Sequence, residues 1–270
     1  MKKVLSIAGS DSGGGAGIQA DLKTILSLGG YGMSAITALT AQNTLGAHAI
    51  SLVEPDFVAK QIQAVLSDIG ADCVKTGMLG NGEIVKVVAD QLLKYGVQKL
   101  VVDPVIVSKT GSVLLDESGR KEMVEKLFPI CYLLTPNIPE AEIFYGKKIN
   151  SVSDMKKAAK KLMKMGPKFV LVKGGHLKDA PVDVLHDGNQ DYEFQTQRVR
   201  TRHTHGTGCT LSAAISTFLA GGMPVMESID KAKRYLYRAL RFSMGIGKGI
   251  GPLNHYASIA REIARSEVIE

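Results

Sequence analysis

Val4-Leu5-Ser6-Ile7-Ala8-Gly9-Ser10-Asp11-Ser12-Gly13-Gly14-Gly15-Ala16-Gly17 is a short apolar run that spills into glycine; Ile18, Leu22, Ile25 and Leu26 then recur at the spacing of one helix face. An apolar run bounded by a turn signal reads as a buried strand, and the recurrence after it as an amphipathic helix. Strand, glycine turn and helix in that order make the first half of a parallel crossover unit. The loop is not a dinucleotide fingerprint, because Gly-x-Gly-x-x-Gly counted from Gly13 needs glycine where Ile18 stands. Nor is it a Walker A loop, since the chain has no Gly-Lys-Ser/Thr. Read alone, it is either an anion loop or a flexible turn. Asp21, one turn into the helix beside the apolar stripe, is the polar side chain placed to reach a ligand.

The unit recurs. Residues 32–43 are strand-like and end in the amides Gln42 and Asn43, and residues 55–69 carry a helical stripe at Phe57, Ile62, Val65, Leu66 and Ile69. Residues 73–79 form a strand that breaks at Gly77, followed by a helix over 84–93 and by a strand that Pro104 stops just after Asp103. Leu133-Leu134-Thr135-Pro136-Asn137 repeats that form, and Glu140 opens the next helix. Residues 151–164 are helical with Ser151 or Ser153 as N-cap, and residues 169–176 are a strand running into glycines. Two short strands flank Asp187-Gly188-Asn189, a hairpin signal, and two or three helices complete the chain. This alternation predicts a three-layer α/β fold, a mainly parallel central sheet with helices on both faces, in one domain over residues 1–270. The polar and glycine-rich clusters after the strands then share one sheet edge, the edge at which open parallel sheets bind ligands.

Thr204-His205-Gly206-Thr207-Gly208-Cys209-Thr210 comes last, ahead of a helical stripe at Leu211, Ile215 and Phe218. Glycines before a helix let bare N–H groups converge where the helix dipole is positive, which suits phosphate. A helix N-terminus also lowers a thiol pKa, so the expectation for Cys209 is a usable thiolate. The competing reading is a turn into a helix, with Cys209 a small buried apolar residue.

The totals exclude several classes. Three scattered cysteines, Cys73, Cys131 and Cys209, show no metal or disulfide spacing and point to a reducing cytoplasm. His176, His203 and His205 show no metal spacing and read as structural. The basic, apolar start turns glycine-rich too soon for a signal peptide, and no run reaches the ~18 residues of a membrane span. Net charge is +7, much of it on Lys156, Lys157, Lys160, Lys161 and Lys164. With no aromatics between them, they read as a solvated helix face and not as a nucleic-acid surface.

Taken together, these motifs resemble one family: Ala8-Gly9-Ser10-Asp11 with residues 13–21, Thr40-Ala41-Gln42-Asn43-Thr44, Lys75-Thr76-Gly77-Met78-Leu79, Asp103-Pro104-Val105, Thr135-Pro136-Asn137, Lys173-Gly174-Gly175-His176 and residues 205–210. It is the hydroxymethylpyrimidine/phosphomethylpyrimidine kinase family of thiamine biosynthesis, within the ribokinase-like superfamily. The resemblance runs from Val4 to Asn254 in the expected order. It implies ATP- and Mg²⁺-dependent phosphorylation of 4-amino-5-hydroxymethyl-2-methylpyrimidine and then of its monophosphate. It further implies an anion hole of Gly206, Thr207, Gly208 and Cys209, with Cys209 at the position where sugar kinases carry an aspartate base. Gln42 would read the pyrimidine, Asp21 would accept from its amine or hydroxyl, and Gly9, Met78 and Val105 would complete that pocket. Asp103 and Glu140 would organise Mg²⁺ through water; Asn137, Lys173, Thr207 and Gly208 would address the nucleotide. Family members are commonly homodimers.

Without the resemblance, Met78 and Val105 are equally well core, Asp103 a turn acid and Lys173 a strand-end lysine. Two other functions stay open: a pyridoxal, pyridoxine or pyridoxamine kinase, alone or as a second activity, and a non-catalytic vitamer-binding protein. Gln42 within Ala41-Gln42-Asn43 favours the aminopyrimidine over pyridoxal.

Overall fold

The computed structural model describes residues 1–107, 111, 113–175, 177 and 181–257, so His176 lies outside the described residues. In chain order, β1 (Lys2–Ala8) leads to α1 (Gly17–Ser27), β2 (Gly30–Ile36), a hairpin of β3 (Ala38–Asn43) and β4 (Gly46–Leu52), and α2 (Pro55–Asp68). Then follow β5 (Cys73–Thr76), α3 (Gly82–Lys94), β6 (Leu100–Val102), α4 (Glu117–Glu122), β7 (Leu133–Leu134), α5 (Ile138–Tyr145) and α6 (Val152–Met163). The chain continues through β8 (Phe169–Val172), β9 (Val182–His186), β10 (Asp191–Gln195), α7 (Thr207–Ala220) and α8 (Val225–Arg241).

The main sheet has the order β10-β9-β8-β7-β6-β5-β1-β2. Every neighbouring pair from β8 to β2 is parallel, and only the hairpin end, β8-β9-β10, is antiparallel. Side chains alternate between two covered faces, as the period of two demands. Val74, Leu100, Val102, Leu134, Val170 and Val172 join α2, α3, α5 and α6 in one core. Cys73, Val101, Leu133 and Leu171 join α7 and α8 in the other. The fold is the predicted α/β sandwich, and burial on both faces explains why these strands read as unbroken apolar runs.

Local chemistry sets the helix starts. The Ser151 hydroxyl accepts from the Asp154 N–H, and Asn137 and Glu140 form a reciprocal capping box at the start of α5. The lysine stripe is not simply solvated: two of its five members pair with β10, Lys156 with Glu193 at 2.6 Å and Lys160 with Asp191 at 3.2 Å.

The structure corrects one expectation about the strands. The single strand expected over 32–43 is two strands that part at Thr37, whose N–H donates to Ala8 O and whose hydroxyl donates to Met78 O. These bonds turn β3 out of the main sheet, where it pairs antiparallel with β4. The region between β6 and β7, to which the sequence reading assigned no element, holds α4 capped by Asp116.

Candidate active site

The parallel strands end together, and their loops build one edge. Leaving β1, the chain closes a tight loop in which Asp11 is the hub: its carboxylate accepts from Gly13 N at 2.8 Å, Gly15 N at 3.0 Å and Ala16 N at 2.8 Å. Gly17 has φ +56°, and a Cβ there would fall 2.4 Å from Gly9 O, so only glycine fits. The hairpin is zipped to this loop. Ser10 N donates to Ala38 O, the Thr40 hydroxyl donates to Ser10 O, and the Ser12 hydroxyl both donates to Gln42 O and accepts from Gln42 N. Gln42 is thereby presented with its terminal amide 2.8 Å from Nε2 of His205, which is itself 2.9 Å from Asp11 Oδ2.

His205 leads directly into the second loop. Gly206 has φ +82°, with space for a Cβ denied by Gly15 O at 1.8 Å, so the two glycine loops lie backbone to backbone. α7 starts at once, with Thr207, Gly208 and Cys209 in its first turn. The backbone of Gly17 lies near the Cys209 sulfur and favours its thiolate, so the thiol sits beside the N-termini of α1 and α7. Two helix termini would favour a thiolate, yet burial dominates and pushes the thiol up to about 11. Lys75 pulls the other way, while Asp21 and Asp103 add to the rise. The depressed pKa expected from sequence is therefore corrected: the free protein holds Cys209 as a thiol at neutral pH.

Beneath lies a set of buried charges. Lys75 Nζ meets Asp21 Oδ2 at 2.7 Å, both side chains without exposed surface, and the Ser6 hydroxyl donates to the same oxygen at 2.6 Å. Burial pushes Asp21 up against the pull of Lys75; around Lys75 the burial penalty is outweighed by Asp21, Cys209 and Asp103, so its ammonium stays protonated. Asp21 is thus committed to Lys75 and Ser6 through Oδ2, while its buried Oδ1 has no hydrogen-bond partner among the described residues. Lys173 Nζ meets Asp103 Oδ1 at 2.7 Å, and a Cβ at Gly208 would lie 3.5 Å from both Lys173 Nζ and Asp103 Oδ2. The Asp103–Lys173 pair therefore faces the first turn of α7. Burial pushes Glu140 up to about 7, with Lys173 opposing and Asp103 reinforcing the rise. A Cβ at Gly9 would stand 3.2 Å from Met78 Sδ, so these two line one wall; Val105 is half-buried just past Asp103, to whose carbonyl its N–H donates.

A cleft of ≈ 390 Å³ opens beside the α7 start, lined by Asn137, Lys173, Thr207 and Gly208 together with Val199, Leu236, Tyr237 and Leu240. The last four escaped the sequence reading: Leu236, Tyr237 and Leu240 lie on α8, where an apolar stripe looks like core, and Val199 lies in the segment between β10 and α7. Lys75 and His205, which the geometry brings into the site, were missed too; only their place inside the motifs that carry the family resemblance, not their spacing, marked them. For Mg²⁺, no group of three His, Cys, Asp or Glu side chains is clustered among the described residues. The donor set is Asp103 and Glu140, the charge of Asp103 disfavouring ionisation of Glu140 and that of Lys173 favouring it. That set fits an ion that keeps most of its water and takes phosphate oxygens.

A parallel sheet whose ligand edge carries two glycine loops at helix N-termini, lysines and acids defines an α/β phosphotransferase of the ribokinase-like class. The profile of the phosphomethylpyrimidine kinase family matches residues 11–254, and the chain belongs to that family. It is 51% identical to the thiamine biosynthesis bifunctional protein ThiED of Geobacter sulfurreducens over 93% of its own length, and spans about half (52%) of that longer protein. It is 45% identical to the hydroxymethylpyrimidine/phosphomethylpyrimidine kinase of Bacillus subtilis, covering 94% of this chain and 95% of the other. Among solved structures, the Staphylococcus aureus pyridoxal kinase in complex with AMP-PCP and pyridoxal superposes with a TM-score of 0.88 at 37% identity, over 95% of this chain and 94% of that one. Among the described residues no helix is long and apolar enough to cross a membrane.

Proposed function

We propose that the protein transfers the γ-phosphoryl group of ATP to the hydroxymethyl oxygen of 4-amino-5-hydroxymethyl-2-methylpyrimidine, and then to the resulting monophosphate, in thiamine biosynthesis. One observation carries the reading: Gln42, the amide suited to an aminopyrimidine edge, lies 2.8 Å from His205, the residue that opens the Gly206–Cys209 loop. Base reading and phosphoryl handling are thereby adjacent, as transfer to a ring-borne hydroxymethyl requires.

In this reading Gly9, Met78 and Val105 hold the ring, Gln42 pairs with its amine and ring nitrogen, and Asp21 acts through Oδ1. The N–H groups of Gly206, Thr207, Gly208 and Cys209 receive the charge that develops on the transferred group. Asn137 and Lys173 bind the nucleotide phosphates, and the apolar cleft at Val199, Leu236 and Leu240 takes its base. Asp103 and Glu140 would hold Mg²⁺ through water, the ion neutralising phosphate charge when bound. Cys209 receives the hydroxymethyl proton, acting through its small thiolate fraction, which Lys75 and the Gly17 N–H favour. A loose transition state asks little of that base.

The chain works as one catalytic domain over residues 1–270, in the cytoplasm, to which its three free thiols are suited. A homodimer is supported by the exposed Leu39, Leu45, Leu52 and Phe57 on and beside the hairpin. The test is incubation with Mg·ATP and, separately, the hydroxymethylpyrimidine, its monophosphate and pyridoxal, with products followed by mass. Pyrimidine mono- and diphosphate are expected. Pyridoxal phosphate with little pyrimidine turnover would move the function to a vitamin B6 kinase, and no product from any of the three would leave a vitamer-binding protein.

A further inference from the structure

His205 Nε2 stands at a crossing. It is 2.9 Å from Asp11 Oδ2 and 2.8 Å from the terminal amide of Gln42. A ring nitrogen carries either one hydrogen or one lone pair, and cannot offer both. Asp11 decides which. Its carboxylate is 2% exposed and accepts three backbone N–H bonds from the glycine loop, so it is an acceptor only. Against burial, the hydrogen bonds from His205, Ala16 and Gly13 hold it below the usual carboxylate range. Facing that oxygen, Nε2 must carry hydrogen, and it does so whether the ring is neutral or charged.

The same N–H then points at Gln42. With the amide nitrogen toward His205, two donors would face one another at 2.8 Å. An amide has the same outline after a 180° turn, and the turned form places Oε1 where the Nε2–H group can reach it. No protein partner competes for the other end of the amide among the described interactions, which leaves its –NH₂ to a ligand.

This matters because the edge of the proposed substrate has a direction. Along the ring run the nitrogen N3, the amine on C4 and the hydroxymethyl on C5, in that order. An amide pairs its oxygen with the amine and its –NH₂ with N3. We infer that the Asp11–His205 pair locks Gln42 with its oxygen on the His205 side, and so selects the docking direction that sends the hydroxymethyl group toward Gly206–Cys209. The opposite amide orientation would dock the same ring with the hydroxymethyl pointing away from that loop. Asp11 and His205 are positioning residues, acting through Gln42, and the inference rests on the aminopyrimidine reading above.

The test compares kcat/KM for the aminopyrimidine with that for its analogue bearing an oxo group in place of the amine, which presents N3–H and C=O and so reverses the pattern. The intact protein is expected to prefer the amine by about tenfold or more, the scale of one hydrogen bond lost and one donor or acceptor left opposed. His205→Leu frees the amide to turn, and the preference should collapse toward parity; His205→Gln, which returns an N–H at similar reach, should restore it. A purely structural loss would depress both substrates alike. A Leu variant that keeps the full preference overturns the inference. In the unmutated protein, ¹⁵N-resolved NMR of His205 gives an answer independent of variant folding: hydrogen on Nε2 is expected, and hydrogen on Nδ1 alone overturns it. Absence of any pyrimidine product from the unmutated protein would instead overturn the kinase assignment, and this orientation with it.

Discussion

The two ends of the site are built on opposite principles. The phosphoryl end is deep in the sandwich: Lys75 and Asp21 have no exposed surface, Asp103 is 2% exposed, and each charge has a partner on another strand or helix. The base-reading end hangs on a two-stranded hairpin outside the main sheet, with Leu39, Leu45 and Leu52 open to solvent. A two-stranded ribbon has little stability of its own. Here it is held by its zipper to the Asp11 loop and by a glycine-rich segment near the chain end, where Ile250 N donates to Thr44 O and Gly249 N to the Thr44 hydroxyl. In the proposed reading, chemistry common to phosphoryl transfer is thus fixed by the core, while the selective contact rides on an element outside the main sheet.

The contrast can be broken most sharply at Cys209. Cys209→Ala is expected to lower kcat by about 10²–10⁴, the usual worth of a proton-transfer group, with little change in melting temperature. Because burial holds the thiol near 11, kcat/KM of the unmutated protein should rise with pH through the alkaline range as thiolate forms. A Cys209→Asp variant should lose that rise, its carboxylate being ionised throughout; an unchanged slope would remove Cys209 from the proton path.

Next in size is the buried pair. Lys75→Met strips buried Asp21 of its counter-charge, and should cost about 3–5 kcal/mol in urea unfolding. Lys75→Met combined with Asp21→Leu should recover much of it; a double variant no better than the single would show that the pair is not what the core depends on. Substitutions on the outward face of the hairpin, such as Leu39→Thr, should stay within about 0.5 kcal/mol in the monomer.

His255 makes stability depend on pH. It is buried against α7, its Nε2 2.9 Å from the Thr210 hydroxyl. Burial, reinforced by Lys23, pulls its pKa from 6.5 down to about 4. A depressed folded-state value means that the unfolded chain takes up the proton first. Stability is then full above 6.5 and falls as pH drops toward 4, by about 3 kcal/mol across that window. His255→Gln should flatten this slope in pH-dependent melting; a slope that persists in full would assign it to other groups.

The smallest effect is the most selective. Gln42→Met should raise KM for the aminopyrimidine about tenfold, the scale of the hydrogen bonds lost, with kcat less affected. A drop in kcat alone would mean that Gln42 aligns the hairpin and does not read the ring.

Most of the architecture was legible because it follows local rules. Apolar runs ending in glycine or proline gave the parallel strands, Ser151 and Asn137 marked helix starts, and the shared ligand edge followed from the parallel connection. The sequence was least informative where a long-range contact overrides a local pattern. Residues 32–43 keep strand propensity throughout, and only the bonds from Thr37 to Ala8 and Met78 turn the chain out of the sheet. His205 has no spacing that marks it, and its meaning comes from Asp11 and Gln42, which lie 194 and 163 residues away. Cys209 shows the limit most clearly. Its place at a helix N-terminus, read locally, predicts a thiolate; its burial among Lys75, Asp21 and Asp103 decides for the thiol. By itself, then, the sequence determined the layers, the edge and the residue types present there, because periodicity and turn chemistry act over a few residues. Which side chains pair, which way an amide faces and which proton stays on were decided only by tertiary structure, because desolvation and charge depend on neighbours brought together by the fold.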